Sequence, residues 1–128
     1  MEPMANETNR YALVADDDGI IRMDASAILE DAGYETLEAS NVEEALAELE
    51  EHGHDIQILF TDVHMPPSAR DGFELARLCS KGWPHIAIIV ASGAAEPKPD
   101  DLPEGAVFIR KPFSPEVVQD HLTRVLLS

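Results

Sequence analysis

Short apolar runs alternate with amphipathic stretches along this chain, the rhythm of repeated βα units. Tyr11–Ala15 is a compact apolar run that stops abruptly at Asp16-Asp17-Asp18. Between Gly19 and Ala32, the residues Ile20, Ile21, Ile28 and Leu29 recur near helical spacing, and Gly33 supplies a stop. Residues 34–39 alternate and predict a short strand near a sheet edge. Ser40 reads as the N-cap of a second helix, with Glu43 completing an S-x-x-E capping box. Val42, Ala45, Leu46 and Leu49 form the buried stripe of that helix. Residues 56–61 are nearly all apolar, as a strand covered on both faces requires. Asp71-Gly72 precedes a helix holding Phe73, Leu75, Ala76 and Leu78. Residues 86–91 are the most hydrophobic run and predict a central strand, and residues 106–109 a last short one. Ser114-Pro115 provides an N-cap and an N1 proline for a closing helix.

The alternation fails between residues 93 and 105. Pro97, Pro99 and Pro103 are too closely spaced for a regular helix, since each lacks a backbone donor and restricts its predecessor. Five strands joined by helical crossovers predict a parallel α/β sandwich with helices on both faces. Ligands in such sheets gather beyond the carboxyl ends of the strands.

Composition narrows the partners. The 128 residues make one domain, and 45% hydrophobic content suffices for a core without staples. Nine basic against 25 acidic residues give a net charge of −16, which disfavours nucleic acid and anionic membrane surfaces. The start of the chain has no apolar run of a signal peptide, and no stretch approaches the roughly 20 apolar residues of a membrane span. The single cysteine, Cys79, forms no disulfide within the chain. A cytoplasmic protein is expected.

Asp16, Asp17, Asp62, Ser92 and Lys111 all sit at or just past the carboxyl end of a predicted strand. A parallel sheet therefore brings them to one rim. Three carboxylates at close range either raise one another's pKa or gather a cation. Oxygen ligands without a His/Cys set favour Mg²⁺ or Mn²⁺ over zinc. A lysine adds a point charge for a phosphoryl oxygen, and a serine adds a hydroxyl donor. Together they suit phosphoryl transfer to a carboxylate.

Five ordered blocks resemble the receiver domains of bacterial two-component response regulators, of the stand-alone, single-domain type. They are L-V-A-D-D-D at 13–18, L-F-T-D-V-H-M-P at 59–66, D-G at 71–72, V-A-S-G at 90–93 and R-K-P-F at 110–113. The resemblance implies a flavodoxin-like (receiver) three-layer sandwich whose five-stranded parallel sheet has the order 2-1-3-4-5. It implies a flexible tail at 1–9 and a receiver domain at 10–128. Asp62 would be the phosphoacceptor, Asp62 and Asp17 direct metal ligands, and Asp16 a ligand through water. The backbone carbonyl of His64 would complete the metal shell. Lys111 would pair with the phosphoryl group, and its bond to Pro112 is expected to be cis. Ser92 would hydrogen-bond the phosphoryl group and move with it, coupled to Phe108, which would swing between inward and outward rotamers. The implied partners are a sensor histidine kinase or histidine phosphotransfer protein and an unknown downstream protein target. A monomer, or at most a weak dimer, is expected, acting as a signalling phosphoacceptor with slow self-dephosphorylation and not as an enzyme.

Two departures stand out. The loop from Met65 to Asp71 is longer than usual, and the interval from Ser92 to Lys111 is shorter and proline-rich. The second predicts a shortened or irregular fourth helix whose ordering governs output. Rival readings are a phosphorelay shuttle or phosphate sink, and a Mg²⁺-dependent phosphohydrolase with an aspartyl intermediate. Asp16 and Asp18 match the D-x-D spacing of such hydrolases, but that leaves Asp62 and the Lys-Pro-Phe block unexplained. A receiver-like binding module without chemistry is disfavoured by the complete acidic set.

Overall fold

A computed structural model describes residues 10–127 apart from Ala95. The tail expected at 1–9 lies outside the described residues. Five strands, β1 (Tyr11–Ala15), β2 (Glu35–Ala39), β3 (Ile56–Asp62), β4 (Ala87–Ser92) and β5 (Val107–Arg110), form one parallel sheet. Their order is β2-β1-β3-β4-β5. Among the described residues there are four α-helices, α1 (Gly19–Asp31), α2 (Val42–His52), α3 (Gly72–Gly82) and α4 (Pro115–Leu127), and one short 3-10 helix at Gly53–Asp55. α1 and α4 cover one face of the sheet, and α2 and α3 the other.

Period-two alternation explains the double core. Leu13 and Leu59 face the α2/α3 layer, while Val14 and Phe60 face α1 and α4. All four are at most 1% exposed, which is why the β1 and β3 runs are apolar throughout. The edge strand β2 does not show the expected alternation: Glu35 and Glu38 are exposed, Thr36 and Leu37 are both half-buried, and only Ala39 within it is buried.

Helix ends follow local chemistry. Asp18 caps α1 by accepting from the backbone N–H of Ile20 and Ile21 at 2.9 and 3.2 Å. Gly33 ends it at φ +100°, and Tyr34 N–H closes back on the Leu29 carbonyl at 3.1 Å. The cap of α2 differs from the expected one by a residue. Asn41, not Ser40, accepts from the N–H of Glu44 at 2.8 Å, and the Glu44 carboxylate reaches back to Ser40 N–H at 2.8 Å. The box is thus closed by Glu44 instead of Glu43. Those hydrogen bonds from Ser40 hold Glu44 below the usual carboxylate range.

Between β4 and β5 no helix occurs among the described residues. The irregularity predicted from the prolines takes its strongest form: turns replace the helix. Lys98 N–H donates to the Asp101 carboxylate at 2.7 Å, and Arg77 of α3 donates to the Asp101 carbonyl at 2.9 Å. Glu96 pairs with Arg110, and Leu102 packs against the α2/α3-side core. Among the described residues no helix is long and apolar enough to cross a membrane.

Cys79, on the inner face of α3, has no exposed surface, and burial pushes its thiol up to about 12. Thiolate is the reactive form, so a rise from 9.0 to about 12 lowers its population near pH 8 by roughly 1,000-fold. Native protein treated with a disulfide reagent is expected to label at least about 100-fold more slowly than protein in denaturant. Equal rates, read by absorbance of the released thiol, would contradict this packing.

Candidate functional site

The parallel register levels the strand ends. Ala15 of β1 stands opposite Thr61 of β3, so Asp16 and Asp62 leave their strands side by side. Asp62 stands opposite Ala91, and Ser92 opposite Arg110, which puts Lys111 one residue beyond the edge. The five residues are far apart in sequence, yet one rim collects them all.

One carboxylate oxygen from each of Asp16, Asp17 and Asp62 lies within 4.8 Å of the others. Asp16 and Asp62 are 2% and 8% exposed, whereas Asp17 is open to solvent. Lys111 bridges the buried pair, with Nζ 2.9 Å from Asp16 Oδ2 and 3.1 Å from Asp62 Oδ1. The Lys111–Pro112 bond is cis, as the resemblance implied, and Lys111 N–H donates to the Ser92 carbonyl at 3.1 Å.

The charges act on one another. Burial raises the Asp62 pKa above its ordinary value, and the neighbouring Asp16 charge adds to this. Lys111 and the Val63 N–H, 2.8 Å from Asp62 Oδ1, pull it back down. For Lys111, burial disfavours the ammonium, but its hydrogen bond to Asp16 and the charges of Asp62 and Asp16 outweigh this and raise its pKa. Three carboxylates facing one ammonium leave the rim net negative. All its ligand atoms are oxygens, and one side is open to water. That donor set suits a hard divalent cation that retains waters, and it does not suit zinc.

Asp16 is held from every side. Its N–H donates to the Ala39 carbonyl at 3.0 Å, and its carbonyl accepts from Arg22 Nη1 at 2.8 Å. Its Oδ1 accepts from Asp18 N–H and its Oδ2 from Lys111, both at 2.9 Å.

Other predicted residues fall into place unevenly. Ser92 is 2% exposed at the end of β4, and its Oγ accepts from Ala94 N–H at 3.2 Å. The His64 side chain is exposed and lines a groove with Met65, Ser68, Arg70 and Asp71. Its imidazole does not join the carboxylate cluster. Phe108 is half-buried opposite Val90 and packs on the α2/α3-side core beside Leu102 and Ala106. The long loop from Met65 to Asp71 is tied to α2 through Ser68 Oγ, which donates to Glu43 at 3.0 Å, while Arg70 pairs with Glu74 in solvent.

Two residues gain a role that sequence reading had not given them. Gly72 opens α3 directly against the backbone of Asp62: its N–H donates to the Val63 carbonyl at 2.8 Å. A Cβ there would lie 1.8 Å from the Asp62 carbonyl oxygen. The Asp-Gly pair was a visible signal, although it read only as a helix start. Arg22 had no signal, because its partners come from a loop and another strand.

Comparisons with known proteins agree with this geometry. The model of the response regulator receiver domain family matches residues 12–123. The response regulator receiver protein CpdR of Brucella abortus is 32% identical over 119 residues, covering 91% of this chain and 96% of that protein. The sensor kinase CckA of the same organism is 38% identical over 105 residues, which are 80% of this chain and 11% of the kinase. Among solved structures, the receiver domain of NtrX from Brucella abortus superposes with a TM-score of 0.79 at 30% identity. That match covers 91% of this chain and 98% of the NtrX domain. The chain spans between 11% and 51% of the length of the first curated relatives it matches.

Proposed function

Because this chain belongs to the family of response regulator receiver domains, we propose that it accepts a phosphoryl group on Asp62 in a Mg²⁺-dependent reaction and signals through the resulting change in shape. Receiver domains are signalling phosphoacceptors served by histidine kinases or histidine phosphotransfer proteins, and they bind Mg²⁺ at an acidic pocket. The observation that supports the reading for this chain is Lys111 bridging Asp16 and Asp62 beside an exposed Asp17.

The chemistry follows from the hydrogen bonds. Asp62 Oδ1 is engaged by Val63 N–H and by Lys111. The attack is assigned to the other carboxylate oxygen, Oδ2, because Oδ1 is the one held by Val63 N–H and Lys111. Oδ2 forms the O–P bond as the N–P bond of a phosphohistidine breaks, and the imidazole leaves with the electron pair and takes a proton. Lys111 moves from the carboxylate to a phosphoryl oxygen, exchanging one anion for another without leaving the rim. Asp17 and Asp62 would hold Mg²⁺ with the His64 carbonyl, Asp16 acting through a water, and the bound ion would supply Lewis-acid stabilisation of the phosphoryl charge. Ser92, buried at the end of β4, would donate to the phosphoryl group, with Phe108 as the aromatic partner that responds. Water later hydrolyses the acyl phosphate.

Incubation with acetyl phosphate and Mg²⁺ is expected to add about 80 Da to the intact mass, the increment of one phosphoryl group. With Mg²⁺ removed by EDTA, the adduct should form at least about 100-fold more slowly. Unmodified protein after prolonged incubation with both reagents would sink the proposal.

A further inference from the structure

Arg22 closes the first turn of α1, its N–H bonded to the Asp18 carbonyl at 2.9 Å. Its guanidinium spans two elements. Nη1 donates to the backbone carbonyl of Asp16 at 2.8 Å, and Nε donates to Glu38 Oε1 of β2 at 2.9 Å. Glu38 is not free to swing, because its other oxygen accepts from Ser26 Oγ of α1 at 3.2 Å. The fork thus ties together a helix, an edge strand and the peptide that joins Asp16 to Asp17. Only a quarter of the Arg22 side chain is exposed, so the clamp is partly shielded from water.

The clamped peptide has a particular place. It turns the chain between a buried carboxylate, Asp16, and an exposed one, Asp17. Rotation of that peptide plane would redirect the Asp17 side chain relative to Asp62. Mutual repulsion among three carboxylates favours such a rotation. Asp16 N–H, bonded to Ala39, and Asp16 Oδ1, bonded to Asp18 N–H, restrain the residue on either side. The carbonyl itself is restrained by Arg22.

We propose that Arg22 is a positioning residue for the acidic rim, fixing the Asp16–Asp17 peptide through the Glu38 clamp so that the three carboxylates meet a divalent cation in one arrangement. The proposal rests on the metal-binding reading given above. It differs in sign from a purely electrostatic role. A background arginine repels Mg²⁺, so removing its charge alone would tighten binding. Removing a positioning arginine weakens binding, because the ligands lose their common geometry.

The test is a calorimetric titration of MgCl₂ into wild-type protein and into R22M, R22Q and R22K, each well below its own thermal midpoint. Two neutral variants are used so that a folding failure in one leaves the other. R22M and R22Q are expected to weaken Mg²⁺ binding roughly 10-fold, the lower end of the effect of an outer-shell partner. R22K retains one donor and should lie between them and wild type. A folded neutral variant that binds Mg²⁺ as tightly as wild type, or more tightly, overturns the role of Arg22. Absence of Mg²⁺ binding in wild type overturns instead the metal reading beneath it, so the two failures are distinct.

Discussion

Asp62→Asn is expected to eliminate the acetyl phosphate adduct, to below about one part in a hundred of wild type, since the variant lacks the nucleophile itself. The substitution keeps the shape of the side chain, and its amide oxygen can still accept from Val63 N–H and Lys111. Fold and rim should therefore survive while the chemistry does not. Intact mass measured over time reads the result. An adduct of full yield in Asp62→Asn would move the acceptor to Asp16 or Asp17. The same variant reports on charge. Burial and the Asp16 charge raise the Asp62 pKa in the folded chain, so folded protein keeps this proton to higher pH than unfolded protein does. Stability then falls as pH rises through that interval. In metal-free buffer near pH 7, Asp62→Asn should have the higher thermal midpoint, and the gap should close as the pH falls below the carboxylate range. Lys111 keeps Asp16 as its partner in the variant, so the ammonium is not orphaned.

Gly72→Ala is expected to destabilise the fold by about 3 kcal/mol or more, the upper range for inserting atoms into a packed site. Helix propensity alone predicts the opposite sign, since alanine exceeds glycine by about 1 kcal/mol inside a helix. Sterics decide the contest. The added Cβ would sit 1.8 Å from the Asp62 carbonyl oxygen and 3.0 Å from Val63 Cα. These are backbone atoms at and just past the end of the central strand β3, so no rotamer change relieves the clash. Either α3 moves away from β3 or the chain after Asp62 shifts, and both disturb the acceptor. Urea denaturation of wild type and variant measures the cost, and a variant as stable as wild type would show that α3 does not sit where the structure places it.

Much of this was legible along the chain. Residues 56–61 and 86–91 announced central strands because both faces of β3 and β4 are covered, which leaves few positions for polar side chains. Asp62 was conspicuous for the same reason: a carboxylate ending an apolar strand needs partners. The polar content of residues 34–39 marked an edge, although exposure along β2 does not alternate from residue to residue. Local rules misled by one residue at α2. Ser40 and Asn41 are both good caps, Glu43 and Glu44 both good partners, and the choice depends on where β2 ends. The prolines of 93–105 forbade a regular helix, but the path that replaced it depends on Arg77 and Arg110, from α3 and β5.

The sequence by itself determined the period of each element, the parallel α/β class and the residue types that reach the rim. Period and residue type are local properties, and strand ends in a parallel sheet share one edge whatever separates them. Tertiary structure alone decided which oxygen of Asp62 is engaged, why the third helix begins with glycine, and that Arg22 holds the Asp16 carbonyl. Each of these depends on contact between segments whose spacing in sequence carries no period. The register of β1, β3, β4 and β5 is what sets those distances.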